Sequence, residues 1–336
     1  MTTLRVAEVT RGSIVESWHT AALAVVSSTG QLIATLGDPH LVTYPRSSLK
    51  PIQALPLIES GAADHYQLTP AQLAVACASH GGEVSHTATV SAMLHAGHLP
   101  ISALHCGQHA PYSPASDQPA STLTHNCSGK HAGQLLACAH QHLPLENYTN
   151  PDHPQQVHIR AILAELADIA PDQIITGIDG CSLPNYALPL SAMARALARL
   201  LDPAQLPPAR AAAATRLFDA MRAHPDLVAY EGSFDTRLMR AIPGIISKGG
   251  AEGYQIVALP AGLINATSPA MALALKIADG TQRARSAVTL EALAQLSLPI
   301  PTALADLHHP ILTNWRGLTV GEIRTSFTLV RPTAKR

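Results

Sequence analysis

The sequence predicts an α+β fold, with one antiparallel sheet assembled from both ends of the chain, flanking helices, and a helical subdomain from about residue 46 to 240. Two observations carry this. Segments at Arg5–Val9, Ile14–His19 and Ala22–Val26, and again at Tyr254–Leu259, Met271–Ile277 and Thr319–Thr325, are short, strand-like and bounded by turn residues. Between them, apolar residues recur at helical spacing over Gln155–Ala167, Leu190–Leu201 and Ala209–His224. Size agrees: 336 residues, 47% hydrophobic and 13% charged, can bury a substantial core as one large domain or two intimate ones, and a single domain over residues 1–336 is the expectation.

In chain order, Ser27-Ser28-Thr29-Gly30 reads as a hairpin turn returning through Gln31–Leu36. A helix begins at about Ser47 or Ser48, because Pro51 lacks an N–H and fits only its first turn. Gly61 stops it. Thr69, Pro70 and Gln72 supply an N-cap, a first-turn proline and a capping-box partner for a helix to about Ala78. Ser79-His80-Gly81-Gly82 is then a turn, and Ser85 is expected to cap a helix ending at Gly97. Pro111–Pro119 and Pro144–Pro154 read as loops, with Asn126–His131 leading into a helix over Ala132–Ala139. Gly177–Ser182 is a turn-rich stretch, Lys248-Gly249-Gly250 falls just ahead of a strand, and Arg283–Leu296 reads as a long helix after the Asp279-Gly280 turn.

Composition excludes several functions. A net charge of -1 and a pI near 7.0 provide no basic stripe for nucleic acid and no cationic patch for a membrane surface. The N-terminus lacks a signal peptide's apolar run, which predicts a cytoplasmic protein acting on a small molecule. Five scattered cysteines, Cys77, Cys106, Cys127, Cys138 and Cys181, argue against a disulfide framework.

The chemistry is concentrated in three boxes. Ser47 and Lys50 lie three apart at a helix start and so share a face, as a nucleophile and base require. The alternative is that the serine merely caps the helix. Ser79 sits in a turn between helices, and Lys248 precedes two glycines. The order matches the Ser-x-x-Lys, Ser-x-Asn and Lys-Thr-Gly boxes of serine β-lactamases and penicillin-binding proteins, although His80-Gly81 and Gly249 depart from the second and third. A lysine base must be neutral, yet an ordinary amine is neutral in only about one molecule in 2,500 at pH 7. Burial and the converging cations Arg46, Lys50, Lys130 and Lys248 would lower the pKa. Cys127, Lys130 and Cys181 lie in two turns that would form a small metal site if they meet, the alternative being plain burial of each cysteine.

Taken together, YPRSSLKPIQALPL, ACASHGGE, NCSGKHAG, GIDGCSLP and SKGGAEG closely resemble the asparaginase II family, the rhizobial-type L-asparaginases. The resemblance implies a fold similar to that of serine β-lactamases and glutaminases, and hydrolysis of L-asparagine to L-aspartate and ammonia by a homodimer. It implies two serine–lysine pairs, Ser47 with Lys50 and Ser79 with Lys248. It also implies zinc held by Cys127, Lys130 and Cys181, and a substrate pocket lined by Arg46, His131 and Asp179. Tyr230 and Asp235 stand where the family pattern leads one to expect glycine and cysteine. Two rival readings are a β-lactamase-like or glutaminase-like acyl-serine hydrolase and a non-catalytic amino-acid-binding protein.

Overall fold

The computed structural model describes residues 2–332. Strands β1 (Leu4–Arg11), β2 (Ile14–Ser27), β7 (Ile246–Gly250), β8 (Tyr254–Leu259), β9 (Met271–Ile277), β10 (Ile311–Thr313) and β11 (Thr319–Thr325) form one antiparallel sheet in the order β10-β11-β1-β2-β9-β8-β7, with β3 (Leu32–Leu36) paired to β2. Both ends of the chain thus build the sheet. A second sheet of β4 (Val42–Thr43), β6 (Pro184–Pro189) and β5 (Ile175–Ile178) lies within the otherwise helical middle. The sequence reading missed it, because the strand is buried from Pro184 to Leu188 and shows no alternation to mark it.

Residues expected as two strands, Ile14–His19 and Ala22–Val26, are one 14-residue strand. Its first half alternates towards solvent, whereas everything from Ala21 to Ser27 is buried. The change of pattern marks where the strand passes under cover, and the backbone does not break there. Strands β8 and β9 are buried with little regard to side-chain parity, as a sheet covered on both faces requires. The helix Leu190–Leu200 packs on β2 and β9, and the helix Arg285–Gln295 packs against β8 and β11. One continuous apolar core results.

The capping box is present: Gln72 N–H donates to Thr69 Oγ1 at 3.4 Å and Thr69 N–H to Gln72 Oε1 at 2.8 Å. The next helix, however, is Val84–Ala96 and is capped by Glu83, with Ser85 already inside it. His86 Nδ1 accepts the Glu83 N–H at 3.2 Å, so a histidine performs the capping-box task that sequence rules assign to Glu or Gln. The helix expected from Ala132 starts at Ser128 and carries Lys130 and His131 in its first turn. Lys248 lies within β7 and not ahead of it. Among the described residues no helix is long and apolar enough to cross a membrane.

Candidate active site

The first box is a 3-10 turn, Arg46–Leu49, running directly into the short helix Lys50–Gln53. Arg46 has φ 52°, a left-handed conformation costing a non-glycine residue roughly 1–2 kcal/mol. It bends the chain abruptly so that Ser47 faces a cavity while Ser48, Leu49 and Lys50 turn inward. Ser48 Oγ donates to the Lys248 carbonyl at 2.7 Å, fastening the first box to the third. A Cβ at Gly250 would lie 2.4 Å from the Pro45 carbonyl, so the approach depends on that glycine.

Ser79 follows the helix Pro70–Ala76, and its backbone is gripped by two bonds, Ser79 N–H to Val228 O at 2.9 Å and Gly81 N–H to Ala229 O at 2.8 Å. A side chain at Gly81 would collide with Tyr230, its Cβ lying only 2.6 Å from the Tyr230 Cβ. Onto the Ser79 hydroxyl come both lysines: Lys50 Nζ at 3.0 Å and Lys248 Nζ at 2.8 Å. Lys50 also donates to the carbonyls of Ala78 and Asn126, and Lys248 to that of Gly249 at 2.9 Å. Ser47 Oγ forms no hydrogen bond to Lys50, whose amine is committed to the second box.

Counting protons assigns states. The serine hydroxyl has one proton and two lone pairs, so it can accept from one lysine and donate to the other only if the second is neutral. Lys50, with three acceptors around it, suits an ammonium. Lys248 is left to receive the Ser79 proton. Burial, with the Lys50 and Arg285 charges, brings its pKa down to about 7 against the opposing pull of Asp235. Burial also lowers Lys50. If neutral Lys248 is required, the acid limb of kcat/KM will rise with pH and reach half its limit near pH 7. Stability follows the same group. Between about pH 7 and its ordinary pKa of 10.5 the unfolded chain holds a proton that the folded chain lacks, so stability rises with pH across that window. Urea titrations at pH 7 and pH 9 check the sign, and a flat or falling midpoint would contradict it.

The cavity is about 510 Å³ and is lined by Ser47, Ser79 and Lys248 together with Tyr112, Asn126 and Arg285, among others. Asp235 also borders it but is fully engaged: it accepts from Ser247 Oγ at 2.6 Å, Gly249 N–H at 2.7 Å and Gln255 Nε2 at 3.0 Å. Burial alone would raise this carboxyl, but Lys248, Arg285 and these hydrogen bonds hold it below the usual range. It holds the Ser247 side chain and the Gly249 backbone on either side of Lys248 and lends the site a negative charge. Asp235→Asn should therefore shift the lower limb of the pH–rate profile below 7, a change read directly from kcat/KM against pH.

The second cluster also converges. Lys130 Nζ lies 3.2 Å from Cys181 Sγ, and all three side chains, with Cys127, are buried. A hydrogen bond from Cys127 and the Lys130 charge bring the Cys181 thiol down to about 5 against the effect of burial. Lys130 is raised, since the sulfurs of Cys181 and Cys127 and the Asp179 carboxylate outweigh its own desolvation. Arg46 pairs with Asp179 through Nη2 at 2.7 Å and Nε at 2.9 Å. His131 is fully buried in the helix against Tyr148 and does not border the cavity. Tyr148 Oη accepts the His105 backbone N–H at 3.0 Å and shares a hydrogen bond with His131 Nδ1, and burial holds that imidazole well below its ordinary pKa.

Among the described residues there is no group of three or more His, Cys, Asp or Glu placed to hold a metal, and the nitrogen donor beside Cys181 is the Lys130 amine. The donor set of two thiolates and one amine fits a borderline-soft cation such as zinc. Sequence reasoning missed Arg285 and Tyr112, which sit outside every box; only the fold brings them to the cavity.

The sequence profile of the family described as L-asparaginase II matches residues 7–325. No curated protein matches the sequence. Among solved structures, the chain is similar to Mglu in its native form, at 14% identity over 84% of this chain and 67% of that one, with a TM-score of 0.45. It is also similar to a probable glutaminase from Bacillus subtilis complexed with 6-diazo-5-oxo-L-norleucine, at 12% identity over 84% and 85% of the two chains, with a TM-score of 0.39.

Proposed function

The chain belongs to the L-asparaginase II family and is an amidohydrolase of small-molecule amides; from that premise we propose that it hydrolyses L-asparagine to L-aspartate and ammonia through an acyl-serine intermediate. The observation that carries the reading is the chain Lys50–Ser79–Lys248 meeting Ser47 at one cavity. Ser47 attacks the side-chain amide carbon, forming an ester between its Oγ and that carbon. Its hydroxyl is unencumbered, and Lys50 is one turn away. The proton passes to Lys50 as Lys50 gives one up through Ser79 to neutral Lys248, so the relay needs no free lysine of ordinary pKa. Lys248 then returns a proton through Ser79 to the leaving nitrogen. The amide C–N bond breaks, ammonia departs, and a water enters by the reverse sequence to release L-aspartate.

A second reading has a specific observation in its favour. Ser79 is the hydroxyl already bonded to a base, so Ser79 itself can attack with Lys248 accepting directly. The two readings differ in which serine carries the acyl group.

Cys127, Lys130 and Cys181 are the residues that would hold zinc. When bound, zinc supplies a net neutral and weakly Lewis-acidic centre that orients a polar group of the substrate. Metal analysis should return one zinc per chain and Cys181→Ser should remove it, with KM for asparagine rising more than kcat falls. A metal-free wild type, or a Cys181→Ser protein with full zinc, would overturn the assignment. We further propose that the chain works as one domain and pairs as a homodimer, which light scattering on the eluting protein tests.

Ammonia release from asparagine and glutamine, measured side by side, tests the activity itself. Labelling by penicillin with no ammonia would favour a β-lactam hydrolase. Amino-acid binding without turnover would favour a sensor.

A further inference from the structure

The cavity contains a cation that no sequence box announces. Arg285 opens the helix Arg285–Gln295 and lays its guanidinium across Gly249, the residue after Lys248; a Cβ there would stand 2.6 Å from Nη1. Nη1 donates to the carbonyls of Gly250 at 3.2 Å and Tyr254 at 3.3 Å, and Nε is enclosed without a partner. Nη2 makes no hydrogen bond to any described residue and is not enclosed, so it is the edge of the guanidinium left for the cavity. No carboxylate among the described residues reaches Arg285 at ion-pair distance. Asp235 is near enough to be felt electrostatically, but its oxygens are spent on Ser247, Gly249 and Gln255.

Every other cation at the site is accounted for. Arg46 is neutralised by Asp179, Lys130 is held by Cys181, and Lys50 and Lys248 share Ser79. An unpaired guanidinium, pinned by backbone carbonyls beside the reacting groups, is built to receive an anion from outside. Resting on the reading of the site as an amidase for an amino-acid amide, we propose that Arg285 binds the α-carboxylate of the substrate and so selects free amino-acid amides over amides lacking that group. Held there, the carboxylate anchors the far end of a short substrate while its amide faces the serines. Asp235 offsets part of the cost of burying that charge while the site is empty, without competing for Nη2.

The test compares two substrates and one ligand. In Arg285→Met, assayed at about pH 9 so that Lys248 stays neutral without the neighbouring charge, KM for L-asparagine should rise at least about 50-fold with kcat within about 5-fold of wild type, since a charge-assisted pair that anchors ground and transition states alike is lost. Arg285→Lys should recover part of the loss. Turnover of 3-aminopropanamide, which is asparagine without its carboxylate, should be slow in the wild type and no slower in the variant. Calorimetric titration with L-aspartate should show binding to the wild type weakened by a similar factor in Arg285→Met, whether or not ammonia is released. If the wild type releases no ammonia but binds L-aspartate through Arg285, the asparaginase reading fails and the carboxylate site stands. An unchanged KM, equal losses on both substrates, or L-aspartate binding that ignores Arg285 would overturn the proposal.

Discussion

Ser47→Ala is expected to lower kcat for asparagine by at least about 10⁴-fold while leaving the melting temperature within a few degrees of wild type, because it removes the attacking atom and little else. Its hydroxyl forms no hydrogen bond to a buried partner, so deletion strands nothing, whereas Ser48→Ala would strand the Lys248 carbonyl. Ser79→Ala removes the bridge between two buried amines and should cost about 10²–10⁴ in kcat through the lost proton path. The pattern separates the two readings. A Ser47→Ala enzyme with near wild-type ammonia release, beside a dead Ser79→Ala enzyme, transfers the nucleophile to Ser79.

The second large effect falls on Lys50. Replacing it with methionine keeps the buried volume but removes the amine that joins Ser79 to the first box, and kcat should drop by about 10³-fold or more. Lys50→Arg should be no better. A guanidinium does not give up its proton in a protein, and its planar fork cannot reproduce three bonds converging on one nitrogen. Ammonia release by both variants, at matched folded fractions, checks this. An arginine enzyme with most of its activity would show that Lys50 contributes only charge.

Much of this site is legible in the linear chain because its parts are local. Ser47 and Lys50 are three apart, Ser79 lies in a glycine turn whose Gly81 has no room for a side chain, and Lys248 sits beside the two glycines that let Arg285 and Pro45 approach. The strands at both ends announce the sheet as short strand-like runs bounded by turns, and Thr69 with Gln72 announces its helix through a local exchange of bonds. What stays hidden is non-local or breaks the rule. Lys50 turns to Ser79 and not to Ser47, since its partners, the Ala78 and Asn126 carbonyls, are 28 and 76 residues away. Arg285 belongs to a helix that reads as ordinary cover for the sheet. His131 lies in a motif, yet the helix begins early enough to bury it against Tyr148. Asp235 binds three donors with its two oxygens, an arrangement that no spacing rule reveals.

The acyl-serine is the claim on which the rest depends. Enzyme turning over L-asparagine, quenched in acid and digested, should yield an aspartyl ester on the peptide that contains Ser47 and none in Ser47→Ala. An ester found on the Ser79 peptide, or no ester on either at quench times shorter than one turnover, would contradict the account.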